Sequence, residues 1–282
     1  QNPGMQSATP RNTAASGHDW LALKSTYRLS NGADLACITQ GEPDQPALLL
    51  IHGFTDSSRT WVGMEQAFAT HNRIMPDLRG HGQSCAPDYG YSLSHFVDDL
   101  RLLLAQLEVR ECVVVGHSLG GMVAQLLAAT FPDLVSKLVL IGTTATPGDG
   151  SVSELKATID TLTAPIDPEG PFMQQWYGNP GAVDEAFLTQ LRAEAARIPL
   201  HVLKGVIQAT SMTDMQQIGA DISADTLILW GDADPFFDRV QQEKIRDAIS
   251  GSQLIALGGL GHNPHWEEPA KIIDLIHEFL NR

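Results

Sequence analysis

One short run limits what this chain can fold into more than any other: Val113-Val114-Val115-Gly116-His117-Ser118-Leu119-Gly120-Gly121-Met122. A β-branched apolar run enters Gly-x-Ser-x-Gly, and an apolar pattern compatible with a helix leaves it. A serine in that setting sits on a strained turn between strand and helix, with its Oγ held in the open. Gly116 and Gly120 read as points where neighbouring backbone leaves no room for a Cβ. Gly121 reads as the residue that lets the new helix pack close to adjacent strands. Leu119, next after the serine, offers a backbone N–H at a helix N-terminus, where developing negative charge is stabilised. Ser118 is therefore a candidate nucleophile, and the rest of the chain has to supply a base, an orienting acid and a second oxyanion donor.

The chain has room for such a fold. Its 282 residues allow one large α/β domain or two ordinary ones, and 43% hydrophobic content supports a sizeable core. The net charge of −15 opposes binding to nucleic acid and to anionic membranes, and no Lys/Arg cluster offsets it. Cys37, Cys85 and Cys112 are far apart and odd in number, so no disulfide framework, zinc site or redox pair is expected. A reducing, cytoplasmic location fits that usage best. No apolar run approaches the roughly eighteen residues of a membrane helix. The N-terminal residues lack a basic segment followed by an apolar one, so no signal peptide is expected there. Residues 1–19 are small and polar and are expected to be poorly ordered.

Periodicity orders the remainder. Asn31-Gly32 predicts a hairpin between Tyr27 and Thr39. Ala47 to Ile51 is a continuous apolar strand of the kind buried on both faces of a parallel sheet. Helices are predicted over Trp61 to Thr70 and over Tyr91 to Glu108, the second capped by Ser92 or Ser94. Strands are predicted at Arg73 to Asp77, Val135 to Ile141, Leu227 to Trp230 and Gln253 to Leu257. The alternation predicts a doubly wound, mostly parallel sheet with helices on both faces. Residues 147–221 break the rhythm with helices punctuated by prolines and no convincing strand. They predict a helical lid inserted between the two parts of the core, 20–146 and 222–282.

Four landmarks, taken in order, carry a family resemblance: His52-Gly53-Phe54, the Asp77 to Ser84 segment, Gly116 to Gly121, and strands that end near Asp232 or Asp234 and near His262 or His265. Together they resemble the α/β-hydrolase family from about residue 27 onward. In that family the triad runs Ser, then Asp or Glu, then His along the chain. The resemblance implies Ser118 as nucleophile and His262, at the Gly-His step, as base. It implies Asp234, in Gly-x-x-Asp before a proline, as the acid in place of Asp232. It also implies that the N–H of Phe54 joins that of Leu119 in an oxyanion hole. It gives Asp77, Arg79, His81 and Ser84 no catalytic role, so they read as a structural turn. His52 reads as shaping its loop.

The lid should decide what enters. Phe172, Met173, Trp176, Tyr177, Phe187, Leu191, Met212 and Met215 make it apolar. Trp176 and Tyr177 are the candidate substrate contacts, with His265 at the rim. Arg192, Arg197 and Lys204 are candidates to meet a carboxylate, although charged helix residues usually face solvent. Gly116 to Gln125 and Leu138 to Pro147 look similar to enol-lactone hydrolases. The expected partner is thus a small, apolar ester or lactone, attacked without metal or cofactor. Two alternatives keep the fold: carbon–carbon hydrolysis of a diketone on the same triad, and a non-enzymatic small-molecule receptor. Ser118 disfavours dehalogenase and epoxide hydrolase chemistry, which places Asp at the nucleophile position.

Overall fold

A computed structural model describes residues 17–282. The helix α1 (Gly17–Ala22) comes first, so the expectation for residues 1–19 falls mainly outside the described residues. Trp20 is buried and donates through Nε1 to Ser58 Oγ at 3.2 Å, which anchors this turn.

Eight strands form one sheet. β1 (Ser25–Arg28), β2 (Asp34–Gln40), β3 (Ala47–Ile51) and β4 (Asn72–Pro76) precede the motif. β5 (Cys112–His117) leads into it, and β6 (Val135–Ile141), β7 (Asp225–Gly231) and β8 (Gln253–Leu257) follow. The order is β1-β2-β4-β3-β5-β6-β7-β8, antiparallel at β1/β2 and β2/β4 and parallel from β4 onward. This is the mostly parallel, doubly wound sheet expected.

The central strands β3 and β5 are apolar because both of their faces are covered. Leu49, Ile51, Val114 and Leu140 point to one side, where they meet Phe96 and Leu103 of α2 (Leu93–Gln106) and Val123 and Leu127 of α3 (Leu119–Thr130). Leu48, Leu50, Val115 and Val139 point to the other, with Trp20. The two-residue alternation of a strand is thus visible as two core clusters.

Between β6 and β7 lie α4 (Ser151–Asp160), α5 (Pro171–Trp176), α6 (Glu185–Ala196) and α7 (Leu200–Ser211). They form no strand. After β7 come α8 (Arg239–Ala248), the short α9 (Pro264–Glu267) and α10 (Pro269–Leu280). α8 adds Ile245 to the first face, and α10 adds Ile272, Ile276 and Phe279 to the second.

The helix expected over Trp61 to Thr70 is corrected. The chain instead makes two 3-10 segments, Ser58–Trp61 and Glu65–Phe68. Gly63 weakens the helix between them, while Trp61, Met64 and Phe68 still reach the core. Ser92 occupies the cap of α2 but makes no capping hydrogen bond through its side chain.

The Asp77 to Ser84 segment is a turn, buried as far as His81. Asp77 accepts from Lys24 Nζ at 2.7 Å and from the N–H groups of Ser58 and Gln83, each at 2.9 Å. Arg79 donates to both oxygens of Asp99 at 2.6 and 2.7 Å. Among the described residues no helix is long and apolar enough to cross a membrane, and the three cysteines are unpaired.

Candidate active site

Ser118 sits at the end of β5, the strand flanked by β3 and β6. Its φ of 52° and ψ of −115° lie in a region that side chains other than glycine rarely adopt. The neighbours hold it there. The Ser118 N–H donates to Ile141 O at 2.9 Å, and Thr143 Oγ1 donates to Ser118 O at 2.6 Å. A Cβ at Gly116 would strike the carbonyl of Gly120, and one at Gly120 would strike the carbonyls of Ile51 and His52. Only glycine lets the new helix start so close to β3 and β5.

Two loops at the same sheet edge bring partners to Ser118. The loop after β8 carries His262, whose Nε2 lies 3.1 Å from Ser118 Oγ. The loop after β7 carries Asp234, which accepts from His262 Nδ1–H at 2.9 Å through Oδ2. Its other oxygen accepts from the N–H groups of Phe236 and Phe237 at 2.8 and 3.3 Å. Burial by itself would lower the pKa of His262. The charge and hydrogen bond of Asp234, helped by Asp56 and Glu267, outweigh it and raise the pKa. The three side chains therefore form one hydrogen-bonded series from hydroxyl to carboxylate.

Asp232 does something else. Its Oδ1 accepts from Gly259 N–H at 2.8 Å and ties the β7 and β8 loops together. Glu267 fixes the loop around the histidine. It accepts from Gly261 N–H at 2.9 Å and from Asn263 N–H at 2.8 Å, the residues on either side of His262.

The N–H groups of Leu119 and Phe54 make no hydrogen bond to protein among the described residues. The loop holding Phe54 is set by His52, which is fully buried. His52 Nε2 accepts from Leu78 N–H at 2.9 Å, so Nδ1 carries the proton and donates to Gly53 O at 2.8 Å. Burial lowers its pKa to about 3, which keeps it neutral.

Two compartments open beside Ser118. The larger, about 250 Å³, is partly polar and is lined by Asp56, Gln175, Tyr177, Asn263 and Glu267. The smaller, about 30 Å³, is apolar and is lined by Leu119, Met122, Leu155, Val206 and Ile207. Phe54, Trp176, Phe236 and His262 border both.

Trp176 borders both compartments and Tyr177 the larger one, and the Tyr177 hydroxyl is part of a hydrogen-bonded chain. Trp176 Nε1–H donates to Thr55 Oγ1 at 2.7 Å, Thr55 donates to the Tyr177 hydroxyl at 2.5 Å, and Tyr177 donates to Asp56.

His265 is corrected. It is not at the rim: it is fully buried, bonded to Thr60 Oγ1 at 2.7 Å and packed on the His117 ring at a centroid distance of 4.2 Å. Pro264 starts α9 there and turns the ring inward. Nor does Arg192 face solvent. It is buried and donates to Tyr177 O at 2.8 Å and Glu185 Oε1 at 2.5 Å. Arg197 and Lys204 are exposed, and none of these three cations lines a compartment. Met212 is exposed as well.

Sequence reasoning passed over Asp56, His117 and Glu267. Each stood within a few residues of a landmark, but an acid in a loop ordinarily reads as a turn residue.

Comparison with known proteins agrees with this architecture. A family model described as "Alpha/beta hydrolase family" matches residues 48–275. A Bacillus subtilis protein described as a putative 2-succinyl-6-hydroxy-2,4-cyclohexadiene-1-carboxylate synthase is 27% identical over 267 residues, covering 89% of this chain and 96% of its own length. The crystal structure of a hydrolase from Pseudomonas aeruginosa PA01 superimposes with a TM-score of 0.80 at 28% identity, over 92% of this chain and 98% of the other. Est816, described as an N-acyl homoserine lactone degrading enzyme, gives 0.75 at 25%, over 89% and 98%. The enol-lactonase from Burkholderia xenovorans LB400 shares the fold, with a TM-score of 0.75 at 20% identity over 92% and 100%.

Proposed function

The chain belongs to the alpha/beta hydrolase family, and from that premise we propose that it is a serine hydrolase cleaving a small carboxylic ester or lactone. The observation that carries this reading is the series Ser118 Oγ, His262, Asp234, with spacings of 3.1 and 2.9 Å.

An alcohol is a weak nucleophile near neutral pH, so His262 Nε2 takes the Ser118 proton as Oγ attacks the carbonyl carbon. Asp234 keeps the proton of His262 on Nδ1 and stabilises the imidazolium. The N–H groups of Leu119 and Phe54, free of other acceptors, receive the oxyanion. A donor of this kind is worth about 3 kcal/mol of barrier. The intermediate collapses as His262 passes its proton to the leaving alkoxide. Water, deprotonated by His262, then releases the acid from Ser118.

Residues 147–221 act as the lid on this reading, since Trp176 and Tyr177 of α5 and its end border the compartments. Ester or lactone chemistry is favoured over the carbon–carbon alternative for a specific reason. That alternative, like the Bacillus subtilis relative named for a carboxylate, calls for a cation to hold an acid group. Among the described residues no Lys or Arg lines either compartment. Three unpaired thiols fit a cytoplasmic site of action.

The test is Ser118→Ala against a panel of aryl esters and lactones, with fluorophosphonate labelling alongside. Turnover should fall by about 10⁴-fold or more, and labelling should vanish. Undiminished hydrolysis in that variant, or a wild-type protein that labels once and turns over nothing, contradicts the proposal.

A further inference from the structure

The hydrolytic reading gives one buried acid nothing to do. Asp56 lies in the loop that carries Phe54. It is 4% exposed and lines the larger compartment with Ser118 and His262. The chain from Trp176 through Thr55 and Tyr177 ends on its Oδ1, and the backbone N–H of Gly53 also acts on the carboxyl; among the described residues no side-chain donor lies within hydrogen-bond distance of Oδ2.

Oδ2 instead faces His117 Nδ1 at 3.9 Å, too far for a hydrogen bond. His117 donates through Nε2–H to the carbonyl of His262 at 2.9 Å. Burial holds the pKa of His117 well below the usual imidazole range, so the ring is neutral and Nδ1 carries a lone pair. Nδ1 is itself buried without a partner. Once the Asp56 carboxyl is ionised, two acceptors face each other across 3.9 Å at the compartment wall.

The rest of that compartment carries the same sign. Glu267 is its other charged lining residue besides Asp56, and both its oxygens are engaged by backbone N–H groups. The nearby cations are spoken for: Arg59 pairs with Glu194, and Arg192 with Glu185.

We infer that Asp56 selects substrates by charge: the part seated in the larger compartment brings a hydroxyl or ammonium donor to Oδ2 and carries no carboxylate. This rests on the hydrolytic reading of Ser118. Four titratable groups act on Asp56: Tyr177, His117, His262 and Glu194, the last held by Arg59 and Ser57. Burial pushes the Asp56 carboxyl up to about 7, against the pull of the Tyr177 hydrogen bond and of the His262 charge. The selection therefore strengthens as pH rises through neutrality.

The experiment uses three phenyl butyrates that differ only at the para position: hydroxymethyl, aminomethyl or carboxymethyl. At pH 8 the wild-type kcat/KM for the ammonium ester should exceed that for the carboxylate ester by at least about tenfold, with the hydroxymethyl ester near the ammonium one. In Asp56→Asn that ratio should collapse toward one. A ratio is insensitive to a general loss of activity, and a variant that fails to fold leaves a second readout. In the wild-type protein the ratio should rise between pH 6 and 8.5, while titration of His262 affects all three esters alike and cancels. Hydrolysis of all three within threefold of one another overturns the role of Asp56 and leaves the hydrolase standing, as does a ratio unchanged in Asp56→Asn. Hydrolysis of none removes both.

Discussion

Two aspartates stand two positions apart after β7, and the structure divides their work. Asp234 meets His262 Nδ1, while Asp232 bonds a backbone N–H in the next loop. Asp234→Asn should therefore reduce kcat by about 10⁴-fold. Asp232→Asn should cost less than about tenfold, and steady-state kinetics on one aryl ester gives the ranking. The pH dependence has a definite sign. The proposed base, His262, could act only when unprotonated, and its pKa is raised above the ordinary imidazole value. The acidic limb of kcat/KM should lie correspondingly high in the wild-type protein. It should move to lower pH in Asp234→Asn, which removes the largest stabiliser of the imidazolium. A limb that stays in place would show that another group controls it.

The elements around the site differ in how openly the sequence announced them. β3 and β5 were legible because central strands buried on both faces are apolar almost without interruption. The turn at Ser118 was legible because a strained backbone needs glycine at fixed offsets. Gly120→Ala tests that geometry: its Cβ would meet main-chain atoms of Ile51 and His52, which cannot rotate aside. A loss of about 3 kcal/mol is expected in urea unfolding, with activity falling further than stability, because the same shift displaces the N–H of Leu119. The 3-10 segments at Ser58–Trp61 and Glu65–Phe68 were not legible, since their apolar spacing is also that of a helix. His265 was misplaced because a histidine beside a catalytic loop reads as accessible. Its burial depends on Thr60 and His117, both more than 140 residues away. Asp56 was hidden for the same reason, its partner Tyr177 lying 121 residues on.

At the scale of the whole molecule, the buried histidines make the fold sensitive to acid. Burial lowers His52 and His265 to about 3, His81 to about 4, and His117 well below the usual range. In the unfolded chain each titrates near about 6.5. Their contribution is intact above that pH and is lost as pH falls toward the folded values, because only the unfolded state takes up the protons. At pH 5 His52, His81 and His265 each cost on the order of 2 kcal/mol, and His117 acts in the same direction. Asp56 works in the opposite sense: raised to about 7, it stabilises the fold in acid, and that stabilisation is lost as pH rises through 7. His262, also raised, has the same sense. The four histidines outweigh them, so the fold should be less stable at pH 5 than at pH 7.5. Urea midpoints at both pH values, in salt sufficient to screen surface repulsion, measure it, and equal midpoints would contradict the account.

The chain from Trp176 through Thr55 and Tyr177 to Asp56 has a further consequence. It joins the helices between β6 and β7 to the loop that supplies the Phe54 N–H. A molecule that seats Trp176 badly disturbs, through these contacts, the groups that await the oxyanion. Recognition and acceleration then become one event, and a poor fit is expected to be turned over slowly rather than merely bound weakly, a distinction that separate values of kcat and KM make visible.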